Sequence, residues 1–381
     1  MAEWIVIHKD ENNVLDSVRP LNLEFGLVLK DASDISYDVS LAHPTMRWGF
    51  VGPKRSTYEL YRDGSLITAG IHSMVNTKKG EEVLHVQGKS WMWYLQNRHY
   101  PFDPLAPNTF LGGTAVEDAG IAYQRIGTPW SIIQDMFDAI FARPHGNPFG
   151  LETLLDVFSF VSPNVGFRLE LGDTQSIYDI MLTLSESELA GFDFWDSPDK
   201  VIHVENPERF PEEARTDPNS CNWVLDGYIH PTPFIDAEFE NTGPEMTHIL
   251  GLGSGTATRI GRAYGDEQTQ ARFGRWDGTV DFAETMNQDQ LARKTKIHFS
   301  KAAYPARHIG LTVDVENIPD FYFNFYPGAA IWVRENWESN SSNNGYVIRR
   351  MTVKVSNQGD EVCELDLEEI NQSGLFGGVQ G

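Results

Sequence analysis

Asp63-Gly64, set between the apolar runs Tyr58 to Tyr61 and Leu66 to Ile67, constrains this chain more than any other pair of residues. An Asp-Gly pair in that setting specifies a tight hairpin, because both turn positions need positive φ. It makes the stretch Thr57 to Arg98 read as strand, turn, strand, turn, strand. The second strand, Ser65 to Val75, carries Leu66, Ile67, Ile71 and Val75 and ends at Thr77-Lys-Lys-Gly80, a polar turn closed by glycine. Val83, Leu84 and Val86 form the third strand. Ser90 to Asn97 then gathers Trp91, Trp93, Tyr94 and Leu95 into a segment too bulky to stay solvated. The pattern is a meander with one buried face, Gly64 and Gly80 forming its turns and Trp91 and Trp93 anchoring its core.

Strand grammar also opens the chain. Trp4 to Ile7, Leu21 to Leu29 with Leu23, Phe25 and Leu27 on one face, and Ser36 to Leu41 alternate with period two, giving a β unit over residues 1–100. Pro101, Pro104, Pro107, Asn108 and Gly112-Gly113 mark a loop or linker. Residues 101–233 are mixed α+β. Thr128-Pro129 predicts a helix start, Thr as N-cap and Pro in the first turn, with Trp130, Ile133, Phe137, Ile140 and Phe141 at helical spacing. A second helix is expected from Asp173 or Thr174, with Ile177, Ile180, Met181 and Leu184, stopping by Gly191. Gly150 to Val161 fits either a short helix or a buried extended run. Phe192 to Asp196 and Val201 to Val204 form a hairpin around Ser197-Pro-Asp-Lys200.

Residues 234–370 return to β. Phe234 to Phe239 and Met246 to Leu252 precede a glycine-rich loop and helical insertion spanning 253–308, whose helix from Met286 or Asn287 lines Leu291, Ala292, Thr295 and Phe299 along one side. Strands follow at Ile309 to Val315, Ala329 to Val333, Tyr346 to Val355 and Val362 to Leu367, and residues 371–381 read as a flexible tail. From Pro327-Gly328 to Leu367 the order strand, turn, strand, turn, strand repeats that of Thr57 to Arg98, with Gly328 and Gly359 as turn formers. The chain is therefore mainly β with α+β insertions, two related β units flanking a mixed one. Its 33 glycines and 20 prolines, spread along 381 residues, suit many short strands and turns.

A formal charge of −24 argues against a protein that grips nucleic acid, which needs clustered Lys and Arg. None of the 11 histidines sits in an HxH, HxxH or HExxH spacing, and Cys221 and Cys363 give neither a disulfide framework nor a metal motif. Gly251-Leu-Gly-Ser-Gly255 lacks the Lys-Ser/Thr of a phosphate loop, and Leu252 and Thr256 break the spacing of a nucleophile elbow around Ser254. Asp193 and Asp196 around Phe194-Trp195 invite comparison with a glycosidase pair, but such pairs abound in an acidic chain, and solvated turn carboxylates beside core aromatics are the ordinary reading. No catalytic, cofactor-binding or metal-binding residue is nominated, and the chain reads as a non-enzyme. The start carries no charged segment followed by an apolar core, and no run approaches the length of a membrane span. Synthesis in a cytoplasm without stable membrane insertion is expected, with later assembly into something larger left open.

The RDGxxITAG hairpin at Arg62 to Gly70, the VxGKSWxxYLxxR close at Val86 to Arg98, the Phe192 to Trp195 hairpin, and the series PGAAIWV, GYVIRR and VSNQGDEVCELDL between Pro327 and Leu367 resemble the central hub proteins of phage tails. These are the baseplate-hub or tail-associated minor tail proteins of long-tailed bacteriophages. The resemblance spans residues 1 to 370 and rests on turn and aromatic signatures. It implies a homotrimer whose subunits each contribute two β-barrel-like hub domains flanking the mixed α/β domain, so that three chains make a pseudo-sixfold ring. It further implies placement at the virion tail tip, with a distal tail protein ring, a tape-measure protein and receptor-binding or tail-fibre proteins as partners, and DNA crossing the channel without specific binding. Many members carry a C-terminal lysin or fibre domain; the short Gly374 to Gly381 tail here leads to no expectation of peptidoglycan cutting. A carbohydrate-active protein, a polysaccharide depolymerase or a cell-wall binding module using exposed Trp and Tyr, is the alternative.

Overall fold

The computed structural model describes residues 2–370 except 11–12, 44–51, 78–79, 81, 101–120, 143–145, 156–164, 171–174, 186–191, 206–213, 215–216, 229–233, 242–244, 254–259, 266, 283–287, 304–306, 319 and 338–339. The expected linker around Pro101 to Gly113, most of the glycine-rich loop and the 371–381 tail fall outside the described residues. The architecture is mainly β, built around one thirteen-stranded sheet that is antiparallel except for a single pair.

The first β unit supplies β1 (Trp4–Asp10), β2 (Asn13–Val18), β3 (Leu21–Val28), β4 (Asp34–Ser40), β5 (Ser56–Arg62), β6 (Ser65–Asn76) and β7 (Val83–Ser90), in spatial order β3-β4-β7-β6-β5-β1-β2. Laid flat, six steps of ~4.8 Å would hold β2 and β3 about 29 Å apart. Only Arg19 and Pro20 connect them, a link that spans at most ~11 Å. The seven strands must therefore coil until the outer two approach, which encloses one face. Trp4, Val6, Phe25, Tyr37, Tyr58, Leu60 and Val86 fill that interior. The coil does not close into a barrel among the described residues, since β2 and β3 do not pair.

β6 is buried on both faces. Thr68 and His72 turn inward beside Tyr58, while Ala69 and Ile71 turn outward onto the mixed unit. That unit holds α1 (Met92–Gln96), β8 (His99–Tyr100), β9 (Ile121–Gly127), α2 (Pro129–Phe141), β10 (Glu152–Leu155), β11 (Val165–Glu170), β12 (Gln175–Ser176), α3 (Ile177–Ser185), β13 (Asp193–Asp196) and β14 (Val201–Glu205). Thr128 caps α2, its Oγ1 accepting from Ser131 N at 3.3 Å. The described part of the second helix starts at Ile177 rather than at Asp173 or Thr174, because Ser176 and Asp179 form a reciprocal capping box: Asp179 N donates to Ser176 Oγ at 3.0 Å and Ser176 N to Asp179 Oδ2 at 3.1 Å. The ambiguous run after Gly150 is extended over Glu152–Leu155, where it pairs in parallel with β14.

The second β unit comprises β15 (Trp223–Asp226), β16 (Phe234–Asn241), then after an insertion β20 (Arg307–Asp314), β21 (Ala330–Trp337), β22 (Asn340–Val355) and β23 (Glu361–Glu369). The insertion is a small sheet of β17 (His248–Leu252), β18 (Gly261–Gly265) and β19 (Asp277–Asp281) backed by the helix Gln288–Ala303, from which Leu291 and Phe299 are buried. The spatial order β16-β20-β23-β22-β21 repeats β3-β4-β7-β6-β5: a hairpin followed by a meander that pairs back onto it. The echo between Thr57 to Arg98 and Pro327 to Leu367 is thus part of a five-strand duplication.

Candidate functional site

The two copies of that topology meet along β3 and β22. Arg350 to Val355 pair with Val28 to Leu23, which makes the units one sheet rather than two docked bodies. The length of β22 allows this. Its first half pairs with β21, its second half offers the same edge to β3, and β23 runs along the opposite edge. A register irregularity between Ile348 and Arg350 separates the halves, the local twist expected of a bulge.

Beside the ladder lies a buried charge. Glu361, 3% exposed at the start of β23, accepts hydrogen bonds from Trp4 Nε1 at 2.9 Å, from Arg62 Nε at 3.1 Å and from Tyr322 Oη at 3.3 Å. Trp4 and Arg62 come from the first unit; Tyr322 and Glu361 come from the second. The Arg62 guanidinium lies 5.1 Å from the Tyr322 ring and 5.9 Å from that of Trp4, and Trp4 meets Tyr322 edge-on at 5.8 Å. Burial works against the Arg62 cation, yet the hydrogen bond and charge of Glu361 hold its pKa above the ordinary value. Burial, then the Glu361 charge, pushes the Tyr322 phenol up, so it stays a donor. Sequence motifs did not point to Glu361. The signal that could have found it is parity: 361, 363, 365 and 367 share one face of β23, and Cys363, Leu365 and Leu367 are apolar core residues.

The mixed unit is pinned to the same region by the turn after β3. Lys30 N donates to Phe194 O at 3.0 Å, Lys30 Nζ pairs with Asp193 at 2.9 Å, and Tyr178 Oη donates to Lys30 O at 2.9 Å. Asp196 Oδ2 accepts from Met92 N at 2.8 Å, at the start of α1. Three residues apart on a strand, Asp193 and Asp196 face opposite ways, and each serves a structural partner. They do not converge on a common point as a glycosidase pair must. No group of three or more His, Cys, Asp or Glu fit for a metal occurs among the described residues.

The turn glycines all adopt positive φ: 81° at Gly64, 95° at Gly80, 90° at Gly328 and 90° at Gly359, with Asp63 at 49° completing the Asp-Gly turn. They occupy separate turns, and none contributes to the Glu361 cluster. Trp91 is buried, but in the core of the mixed unit with Met92, Leu95 and Trp130 rather than inside the first β unit, because the chain leaves the sheet at Ser90 and turns into α1. Trp93 is half-buried against that core, with Lys54 Nζ 5.5 Å from its ring.

Inside the first unit two imidazoles stack. His8 and His72 are both fully buried, their rings 5.0 Å apart and nearly parallel. His72 meets Tyr37 Oη at 3.1 Å and Ser56 Oγ at 3.0 Å, whereas neither nitrogen of His8 has a hydrogen-bond partner. Burial lowers both, His8 to about 4 and His72 to about 3.

No protein-family model matches the sequence, and no curated protein matches it. Solved structures do. A tail protein from Neisseria meningitidis MC58 superposes with a TM-score of 0.66 at 14% identity, covering 98% of each chain. The 43 kDa tail protein of prophage MuSo2 from Shewanella oneidensis gives 0.64 at 11% identity, over 98% of this chain and 99% of that one. A prophage tail protein from Listeria monocytogenes EGD-e gives 0.59 at 11% identity, over 97% and 95%.

Proposed function

We propose that this chain, which has the fold of these phage tail proteins over nearly its whole length, is a structural component of a phage tail tip. Three copies form a central hub ring that closes the tail tube, joins the distal tail ring and the tape-measure protein to tip or receptor-binding proteins, and lets DNA pass on infection. The observation that carries this reading is the five-strand topology present twice in one chain and joined by a backbone ladder. Three such chains present six equivalent β units, the symmetry match needed to dock on a sixfold partner. Each unit acts as a barrel-like hub domain, with the mixed unit extending from the ring.

The charge of −24 supports a lumen that does not hold DNA, because like charges repel. The test is solution mass with negative-stain imaging. A threefold ring, alone or on addition of the distal tail ring, is the expected result; a chain that stays monomeric with that partner present overturns the hub assignment. Incubation with host cell wall separates the alternative: sugar release or tight pull-down would favour a carbohydrate-active protein, a reading weakened by the engaged carboxylates of Asp193 and Asp196.

A further inference from the structure

The two β units correspond residue by residue where their long strands bend. β6 has a register irregularity between His72 and Met74, and β22 has one between Ile348 and Arg350. Beside it, Lys54 N donates to His72 O at 2.7 Å, as Gly328 N donates to Ile348 O at 2.8 Å. Met74 therefore stands where Arg350 stands. The strand pairings carry the match across each sheet: Met74 leads through Gln87 and Ser36 to Glu24, and Arg350 leads through Asp366 and Gly310 to Glu238. β16 thus holds the place of β3, with Phe239 at the position of Phe25. In one respect the units differ. Past its irregularity β22 is paired by β3, whereas among the described residues Met74 to Asn76 pair only with β7, and β16 pairs only with β20.

We propose that these two edges pair with each other between neighbouring copies of this chain. β16 of one copy runs antiparallel along the far half of β6 of the next, with Val75 opposite Asn241, Asn76 opposite Glu240 and Thr77 opposite Phe239. The register is that of the intrachain ladder, where Met351, Thr352 and Val353 lie opposite Leu27, Gly26 and Phe25. A second copy is the fitting occupant, because the two edges are the separated halves of a joint that the chain already makes once. Parity agrees with the register. Val75 and Ala237 pack on the buried side of the sheet, while Met74, 42% exposed, and Glu238 lie on the open side, so pairing inverts neither face. The exposed carboxylates of Asp236 and Glu238 discourage pairing with an unmatched edge. The contact is head to tail, the type that closes into a ring when the rotation allows. It rests on the three-chain hub reading and specifies how successive chains join.

The test uses the full-length chain carrying Cys221→Ser, Asn76→Cys and Glu240→Cys, assembled into rings and oxidised. Covalent dimers and trimers are expected on a non-reducing gel, because residues directly opposite each other lie within disulfide reach. Using Glu238→Cys in place of Glu240→Cys keeps the face but offsets the pair by two residues, and should lower the cross-linked yield at least ~10-fold. A second measurement needs no substitution: in wild-type rings the amides of residues 75–77 and 239–241 should exchange as slowly as those of 351–353. Threefold rings that give no cross-link, or in which these amides exchange freely, overturn the pairing while the ring itself stands. Equal yield from the offset pair overturns the register, and the absence of any ring overturns both proposals.

Discussion

Replacing His8 by leucine tests the interior of the first β unit. In the folded chain His8 stays neutral down to about pH 4 and His72 to about pH 3, while in the unfolded chain both protonate near 6.5. For His8 burial is the main cause, with the Asp16 carboxylate opposing it and His43 adding to it; for His72 burial is followed by His8 itself. Between those values the unfolded chain binds more protons. Stability from each imidazole is therefore complete above about pH 6.5 and is lost as pH falls toward the folded value. From pH 7 to pH 5 the loss is about 2 kcal/mol per imidazole. Asp196 acts the other way: burial raises its carboxyl from 3.8 to about 6, so the folded chain takes up that proton first and gains about 1 kcal/mol over the same interval.

The wild-type chain should then lose roughly 2–3 kcal/mol between pH 7 and pH 5 from these three groups. His8→Leu removes one imidazole share and also the two unpartnered ring nitrogens, whose burial costs about 1–3 kcal/mol. The variant should be more stable than wild type at pH 7, and its advantage should widen by about 2 kcal/mol at pH 5. Urea unfolding at pH 7, 6 and 5, followed by far-ultraviolet circular dichroism, measures both quantities. A variant that is less stable at pH 7, or whose curve runs parallel to wild type at every pH, refutes the argument.

Three further outcomes follow from the packing. Glu361→Ala strands Arg62 beside Trp4 and Tyr322 and should cost about 3–5 kcal/mol in thermal unfolding, with Arg62→Met alone similarly harmful and the double variant less harmful than the sum. At Gly64, φ of 81° with open space around the missing side chain limits Gly64→Ala to about 1–2 kcal/mol, whereas a Cβ at Gly70 would lie 2.0 Å from Lys89 O; melting temperatures should rank Gly70→Ala well below Gly64→Ala. Trp91→Ala should cost about 3–5 kcal/mol and raise amide exchange in α1, α2 and α3 before it does in β3 or β22, because its cavity opens in the mixed unit.

Turn chemistry and period-two alternation made most strands readable, since Asp63-Gly64 and the Gly359 turn dictate local backbone shape and Leu23, Phe25 or Cys363, Leu365 must share a face. The reading stopped where meaning depended on distant partners. Trp91 looks like the end of a meander because nothing local says that Met92 starts a helix whose first N–H is taken by Asp196, 104 residues further along the chain. The duplication reached only three strands by eye, as the residues between β16 and β20 separate two members of the repeat by a whole inserted sheet. Glu361 carried a parity signal, but its partners Trp4 and Arg62 lie some three hundred residues away in sequence.

The manner of joining the two β units has a consequence for assembly. Units held by side-chain contact alone can slide, whereas a ladder fixes them in steps, since a one-residue slip would turn Leu23 and Phe25 away from Val353 and Val355 and face them outward. The Arg62–Glu361 pair resists slippage and hinging alike, because its hydrogen bonds at 3.1 Å tolerate little displacement. In a three-chain ring, half of the contacts between successive units would then be set within each chain, and only the other half would form by association. Loosening the intrachain contact should therefore impair assembly before it unfolds either unit. Glu361→Gln, which keeps the shape and removes the charge, should preserve the circular dichroism spectrum at 20 °C and lower the yield of threefold rings seen by negative stain. Undiminished ring yield from that variant would mean that the β3–β22 ladder alone sets the angle between the units.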